Sequence, residues 1–229
     1  MILFNNYSNI TKVVIPNSIQ LTNTSYANLF KNRQNLVTIQ ANHPNVTNMA
    51  YAFYNCANLK SSPFCGEKVT NMVNSYHNCK NLSGPPVCGN NVTNMTNAYR
   101  NCHNMTGAPK FGSNVTMASY AYYQCHNING AFTIGNKVTD LRYAFYNCKN
   151  LPAGDYYIKA PNITNVYMSF YGKNNSRRYN IHVPANSTTL TKCKNTSSSY
   201  SLVGASISWT NSGTYFYNTT YNIYLYPDL

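Results

Sequence analysis

The string VTNMAYAFYNCANL, beginning at Val46, returns as VTNMVNSYHNCKNL at Val69, VTNMTNAYRNCHNM at Val92, VTMASYAYYQCHNI at Val115 and VTDLRYAFYNCKNL at Val138, a step of 23 residues each time. ITNVYMSFYGKNNS follows at Ile163 after a two-residue insertion, and a degenerate copy, NTSYANLFKNRQNL, precedes them at Asn23. No other feature constrains the fold as much. A unit this short cannot bury an apolar face alone, but a stack of such units buries a continuous core. The expectation is a solenoid of about seven coils of 23 residues.

The columns of the repeat say which side chains point inward. One is aromatic: Phe30, Phe53, Tyr76, Tyr99, Tyr122, Phe145 and Phe170. A second is Leu36, Leu59, Leu82, Met105, Ile128 and Leu151, and a third is Tyr26, Met49, Met72, Met95, Ala118, Leu141 and Val166. The residue before each aromatic is small in most copies (Ala52, Ser75, Ala98, Ala121, Ala144, Ser169). Large and small side chains at fixed offsets let identical coils interlock.

Within a unit, Val-Thr-Asn reads as a short extended piece ending in an N-cap, and the next eight or so residues as one or two helical turns. Segments such as SSPFCG and SGPPVCG read as short strands bounded by Pro and Gly, pairing in parallel at roughly 4.8 Å per rung. Seven rungs then span on the order of 35 Å. Two Asn columns, Asn32 to Asn147 (Gln124 in one copy) and Asn35 to Asn175, read as ladders serving turn backbone from rung to rung rather than as ligand sites.

Five of the eight cysteines, Cys56, Cys79, Cys102, Cys125 and Cys148, form one column, which ends in Arg33 on one side and Lys173 on the other. That pattern fits terminal coils whose outer side meets water. Cys65 and Cys88 fall in a second column, continued by Phe111, Ile134 and Tyr157. Alternation with hydrophobes, and the absence of any Cys-x-x-Cys or Cys/His ligand spacing, predicts reduced, buried thiols and no metal site.

Charge narrows the function. There are 17 Lys and Arg against 4 Asp and Glu, a formal charge of +13, yet charged residues are only 9% of the chain. Polarity comes from Asn, Ser, Thr and 22 Tyr. The positive balance favours acidic partners or simply keeps such a surface in solution; both readings stand. The carboxylates are Glu67, Asp140, Asp155 and Asp228. Asp140 replaces a cap Asn, so no acid pair is offered for acid–base catalysis. With no phosphate loop or nucleophile elbow, the expectation is a non-enzyme with no catalytic residues and no cofactor.

The candidate binding surface is a set of exposed aromatic and basic positions. Tyr54, His77, Arg100, Tyr123, Tyr146 and Tyr171 share a column beside the buried aromatic, and Tyr51, Tyr120 and Tyr143 lie three residues earlier. Tyr with Arg and His suits recognition of protein or sugar surfaces; alternatively the rings only cover an edge of the coils. A basic stripe follows the Cys column: Lys80, His103, His126 and Lys149, read as a solvated face with a phosphate-binding edge as the alternative.

Three segments are expected: an N-terminal strand or cap over 1–22, the solenoid over 23–176, and a β-rich cap or attachment segment over 177–229 whose SLVGASISWT and TYFYNTTYNIYLYP read as strands. Trp209 is expected in its core. No secretory signal is read at MILFNNYSNITK, and no apolar run is long enough to span a membrane.

The aromatic-x-x-Cys-x-x-Leu core, here Phe53, Cys56 and Leu59, resembles the BspA-like leucine-rich repeats over roughly 23–176. That resemblance implies a curved leucine-rich-repeat-like solenoid, with short parallel strands and short helices, used for adhesion on bacterial surfaces. The Asn/Tyr-rich character and the YNIHVP and SISWTNSGTYFYNTTYNIYLYP end are similar to bacteriophage- and prophage-encoded versions. The implied role is a virion structural protein: a head or tail fibre or a decoration protein. Its partners would be other virion proteins, a host cell-surface glycan or protein, or further copies of itself. The alternatives are a fragment of a bacterial surface adhesin and an intracellular protein- or nucleic-acid-binding module, nucleic acid being the less favoured partner. A glycan hydrolase is the enzyme alternative, disfavoured by the missing acid pair.

Overall fold

A computed structural model describes residues 9–15, 24–41, 44–61, 63–197, 200–203 and 207–228; the remainder of the expected N-terminal strand or cap lies outside the described residues. The chain is a solenoid in which each coil repeats three sides. At the Val-Thr-Asn corner, single parallel bridges run Ser25–Asn48–Asn71–Asn94–Met117–Asp140–Asn165. The Thr of each corner locks it twice. Thr70 donates its N–H to the Thr47 carbonyl at 2.8 Å and its hydroxyl to the same oxygen at 3.2 Å, and Thr93, Thr116, Thr139 and Thr164 repeat the pattern. The third residue caps a turn, not a helix: Asn48 Oδ1 accepts the Ala50 N–H at 2.9 Å, and Asp140 does the same for Arg142 at 3.0 Å.

The helices expected after this corner are replaced by stacked turns. Met49, Tyr51, Phe53 and Asn55 donate their N–H groups to Asn71, Val73, Ser75 and His77 of the next coil at 2.8–2.9 Å. Between them Ala52, Tyr54 and Cys56 donate to Met49, Tyr51 and Phe53, closing successive turns. An α-helix would require every N–H to stay within the coil; here alternate ones leave it, so the coils are tied along this turn edge as strands are tied in a parallel sheet. Two residues per coil take left-handed φ, for example Tyr51 (57°) and Asn55 (61°), Asn74 (55°) and Asn78 (62°), and Tyr143 (55°) and Asn147 (60°). This accounts for the first Asn column, since Asn tolerates that region better than most residues. Both columns carry side-chain rungs: Asn55 Nδ2 donates to Asn32 Oδ1 at 3.2 Å and Asn101 Nδ2 to Asn78 Oδ1 at 2.7 Å in the first, and Asn81 Nδ2 donates to Asn58 Oδ1 and Asn104 Nδ2 to Asn81 Oδ1, each at 3.2 Å, in the second.

The return side is built in two ways. Strands form where it carries no proline: β1 (Lys12–Ile15) pairs parallel with β2 (Thr38–Ala41), and β3 (Thr133–Ile134) with β4 (Gly154–Ile158). Over SSPFCG and SGPPVCG the described residues form no strand. Pro63, Pro85 and Pro86 lack the N–H that a ladder needs. There the buried tyrosines take over. Tyr76 donates to the Phe64 carbonyl at 2.9 Å while its oxygen accepts the Phe64 N–H at 3.1 Å. Tyr99 does this for Val87 (2.6 and 3.2 Å) and Tyr122 for Lys110 (2.6 and 2.9 Å). In these three coils proline immediately precedes the residue that the Tyr holds (Pro63, Pro86, Pro109), whereas Phe145 faces Thr133, which pairs as strand. The rings of the aromatic column form a buried pile, with centroids 5.1 Å apart for Phe53–Tyr76 and 5.4 Å for Tyr76–Tyr99.

All eight cysteines are free thiols, and the column of five does more than fill space. Cys79 Sγ lies 3.0 Å from the Phe53 carbonyl, Cys102 Sγ 3.0 Å from that of Tyr76, and Cys56, Cys125 and Cys148 repeat the contact at 2.9–3.1 Å. Each S–H is a small hydrophobe that also donates to a buried carbonyl. Burial pushes the Cys56 thiol up to about 12 and those of Cys79, Cys102 and Cys148 well above their usual value. A thiol with a raised folded-state pKa ionises first in the unfolded chain, so its stabilising effect is complete below about pH 9 and is lost as pH rises toward 12. The urea midpoint is therefore expected to fall steadily above pH 9, and a thiol reagent at pH 8 to leave the column unlabelled until denaturant is added.

The two-residue insertion shifts one expected column. β3 and β4 pair Ile134 with Ile158 and Thr133 with Tyr157, so Ile158, fully buried, continues the Cys65 column, and Tyr157 stands outside at 37% exposure. β5 (Tyr179–Val183) adds in parallel to β4, and β8 (Ile223–Pro227) in parallel to β5. Antiparallel β7 (Phe216–Asn218) and β6 (Thr210–Asn211) finish the sheet. The segment after residue 176 thus extends the return sheet. It closes the other sides too. Ser201 and Leu202 carbonyls accept from Met168 and Phe170 on the turn edge, and Thr189, in α1 (Thr188–Cys193), bonds Ala160 and Ile163 at the corner. Lys173, expected to face water, is buried under this segment. Its ammonium bonds the Tyr221 carbonyl and Asn175 and lies 4.2 Å from the Tyr179 ring centroid. Burial lowers its pKa to about 8.

Candidate functional site

The turn edge gathers the predicted aromatic and basic positions into one ribbon. Three coils present two of them three residues apart, at the left-handed residue and at the residue closing its turn (Tyr51 and Tyr54, Tyr120 and Tyr123, Tyr143 and Tyr146), and three present one (His77, Arg100, Tyr171). Lys31 lies 5.1 and 5.6 Å from the ring centroids of Tyr51 and Tyr54, and Tyr54 meets His77 edge-on at 4.9 Å. Arg100 lies over Tyr120 (5.1 Å) and Tyr123 (4.7 Å). From there the rings stack coil on coil: Tyr120 on Tyr143 and Tyr123 on Tyr146, both at 4.6 Å, then Tyr146 on Tyr171 at 4.9 Å. Tyr167, absent from the sequence-based set because its column reads Ala, Val, Thr, Ser or Arg elsewhere, meets Tyr143 edge-on at 5.2 Å.

Stacking decides what the ribbon offers. Tyr123 has Arg100 over one side and Tyr146 against another, and Tyr146 lies between Tyr123 and Tyr171. The faces of these two inner rings are therefore covered, and their edges with the hydroxyls are what remain for a partner. Burial and the neighbouring phenols push the Tyr143 hydroxyl up to about 12 and raise that of Tyr146, so these two stay neutral at physiological pH. Burial, with Arg100 nearby, lowers His77 to about 4, so it is neutral too. His77 Nδ1 faces Asn74 Oδ1 at 2.8 Å, and Arg100 Nη1 reaches Asn97 Oδ1 at 3.4 Å.

Backbone strain marks the same face. Tyr51, Tyr120 and Tyr143 sit at φ of 57°, 56° and 55°, where three other coils place Asn (Asn28, Asn74, Asn97) and the last places Met168. Left-handed backbone costs a bulky L-residue roughly 1–2 kcal/mol, a cost Asn would relieve.

The basic stripe is less basic than its composition. His103 and His126 stack at 4.7 Å, and desolvation, then neighbouring positive charge, lowers both pKa values. At neutral pH the stripe carries charge at its exposed ends, Lys80 and Lys149. Sequence reasoning also missed a convergence of acids: Asp228 lies 2.8 Å from His182 Nδ1 and Asp155 3.2 Å from its Nε2. Among the described residues no group of three or more His, Cys, Asp or Glu is placed to hold a metal ion, and no helix is long and apolar enough to cross a membrane.

The BspA type leucine rich repeat region matches the chain in six copies, over residues 2–129 and 95–223. The chain belongs to that family. Its members are often associated with cell surfaces and adhesion, consistent with a binding role for this BspA-type protein. No curated protein and no solved structure matches it.

Proposed function

We propose that this BspA-type chain is a non-enzymatic structural protein of a bacteriophage virion, a head or tail fibre or a decoration protein, and that the turn-edge ribbon is its contact surface for neighbouring virion subunits or a host-surface protein. The observation that carries the binding part is the strain: three tyrosines are kept at left-handed φ on one face where Asn28, Asn74 and Asn97 serve the fold in other coils and Met168 ends the row. Strain retained at one surface points to use of that surface. A rigid array of ring edges and neutral hydroxyls suits a protein partner, since Tyr brings a large contact area and few torsions to order. A small share of charged residues, 9%, and stacked, tied coils suit a component that must stay folded in a particle. The similarity of the C-terminal segment to phage-encoded proteins supports the placement.

The family's association with surfaces favours one second reading, a bacterial cell-surface adhesin using the same ribbon. Mass spectrometry of purified particles separates the two. The chain is expected among the particle proteins at a level comparable to other structural components; recovery from cell envelopes, with none in particles, overturns the virion placement.

A further inference from the structure

The outer face of the return sheet holds a second row of rings, built differently from the ribbon. Parallel pairing of β3, β4, β5 and β8 sets Thr133, Tyr157, His182 and Tyr226 side by side. Tyr226 stacks on His182 at 4.9 Å and His182 on Tyr157 at 4.6 Å. At Thr133 the stack ends, so among the described residues one face of the Tyr157 ring has no ring against it. The adjoining row runs Tyr224, Asn180, Asp155, and Ala131, two residues before Thr133 on the same strand face, comes next. Two small side chains thus share one rung between larger neighbours. The result is a groove of about 350 Å³ open to solvent, with Tyr157 and Asp155 along one wall, Pro109, Lys110 and Phe111 along the other, and Ala131 and Thr133 between them. That volume is at the low end of small-ligand sites.

Its polar groups are placed but not used up. Asp155 Oδ1 accepts from Asn180 Nδ2 at 2.8 Å and from His182 Nε2 at 3.2 Å, while Oδ2 takes no hydrogen bond among the described residues. Asn180 and His182 hold the Asp155 carboxyl below its usual range. Lys110 is exposed, and its ammonium makes no hydrogen bond or ion pair among the described residues.

We propose that this groove binds one neutral pyranose unit of a glycan. A pyranose has a C–H face and a rim of hydroxyls. The C–H face packs on the open Tyr157 ring, and the hydroxyls donate to Asp155 Oδ2 and accept from Lys110 Nζ. A carboxylate facing an ammonium across the groove suits an uncharged polyol better than an anion, which Asp155 repels. The inner rings of the ribbon, Tyr123 and Tyr146, have both faces covered and do not offer this chemistry. The groove lies on the return sheet, so its failure would leave the reading of the turn edge standing.

Saturation-transfer NMR at pH 7 with the methyl β-glycosides of glucose, galactose and N-acetylglucosamine tests the site. At least one sugar is expected to receive saturation from the protein. Thr133→Tyr, which extends the ring stack and covers Tyr157 without removing it, is expected to weaken binding about tenfold or more, the loss of one good contact set, with the thermal midpoint unchanged. No transfer to any of the three sugars overturns the proposal, as does undiminished binding by folded Thr133→Tyr. Should that variant fail to fold, Asp155→Ala at its exposed position decides: a loss of at least about fivefold supports the site, and unchanged affinity overturns it.

Discussion

Gly112→Ala is expected to lower unfolding stability by about 3 kcal/mol or more, at or above the upper range of ordinary overpacking, while Gly135→Ala in the next coil leaves it unchanged or raises it slightly. Both glycines belong to one column with Gly66 and Gly89. A Cβ on Gly112 would fall against the Gly89 carbonyl oxygen, 2.9 Å from its carbon and 3.2 Å from Asn90 Cα. All are backbone atoms of the preceding coil, so no rotamer relieves the clash and the coils must separate. The same Cβ on Gly135 would come no nearer than 4.0 Å to the Gly112 oxygen. There the substitution only restricts the unfolded chain, worth about 0.4–1 kcal/mol in favour of folding. Neither glycine has positive φ, so the difference reads coil spacing alone. Urea unfolding of the two variants checks it; equal midpoints would show that the coils are not packed as described.

Tyr99→Phe removes one oxygen and is expected to cost about 1–3 kcal/mol, the penalty for stranding partly buried polar groups. The ring stays, so packing on Tyr76 and Tyr122 at 5.4 and 5.6 Å survives. What disappears is the partner of both the Val87 N–H and the Val87 carbonyl. Pro85 and Pro86 beside it leave no strand ladder to take over. Phe145→Tyr is the converse. Thr133, the equivalent return residue, is already paired with β4, so the added hydroxyl enters a filled pile without a partner and also destabilises. A Tyr99→Phe variant as stable as the parent in urea would mean that the hydroxyl is not the tie.

The sequence disclosed its inward columns because burial repeats with the coil: the aromatic, Cys and Leu positions are all fully or nearly fully buried. It misled at the turn edge. Met49, Ala52, Phe53 and Cys56 stand at i, i+3, i+4 and i+7, the spacing of an amphipathic helix, yet stacked three-residue turns bury the same positions. The counter-signal was the Asn recurring at position 55 and its equivalents, a weak helix former and a good left-handed residue. The ties made by Tyr76, Tyr99 and Tyr122 were legible as well, once proline is read as a missing donor on the return side. Asp155, His182 and Asp228 were not. They meet across 27 and 46 residues through strand pairing outside the repeat, where no period brings them together. Tyr157 was misplaced for a related reason: the insertion divides around β4, so counting by 23 assigns the wrong neighbour.

Hydroxyl-radical footprinting, comparing the free chain with the chain in purified virions, tests the central claim most directly. Oxidation of Tyr51, Tyr54, Tyr120, Tyr123, Tyr143, Tyr146 and Tyr171 is predicted to drop sharply in the particle, while Tyr157, 37% exposed on the return sheet, changes little. Ribbon tyrosines oxidised equally in both states would contradict the account.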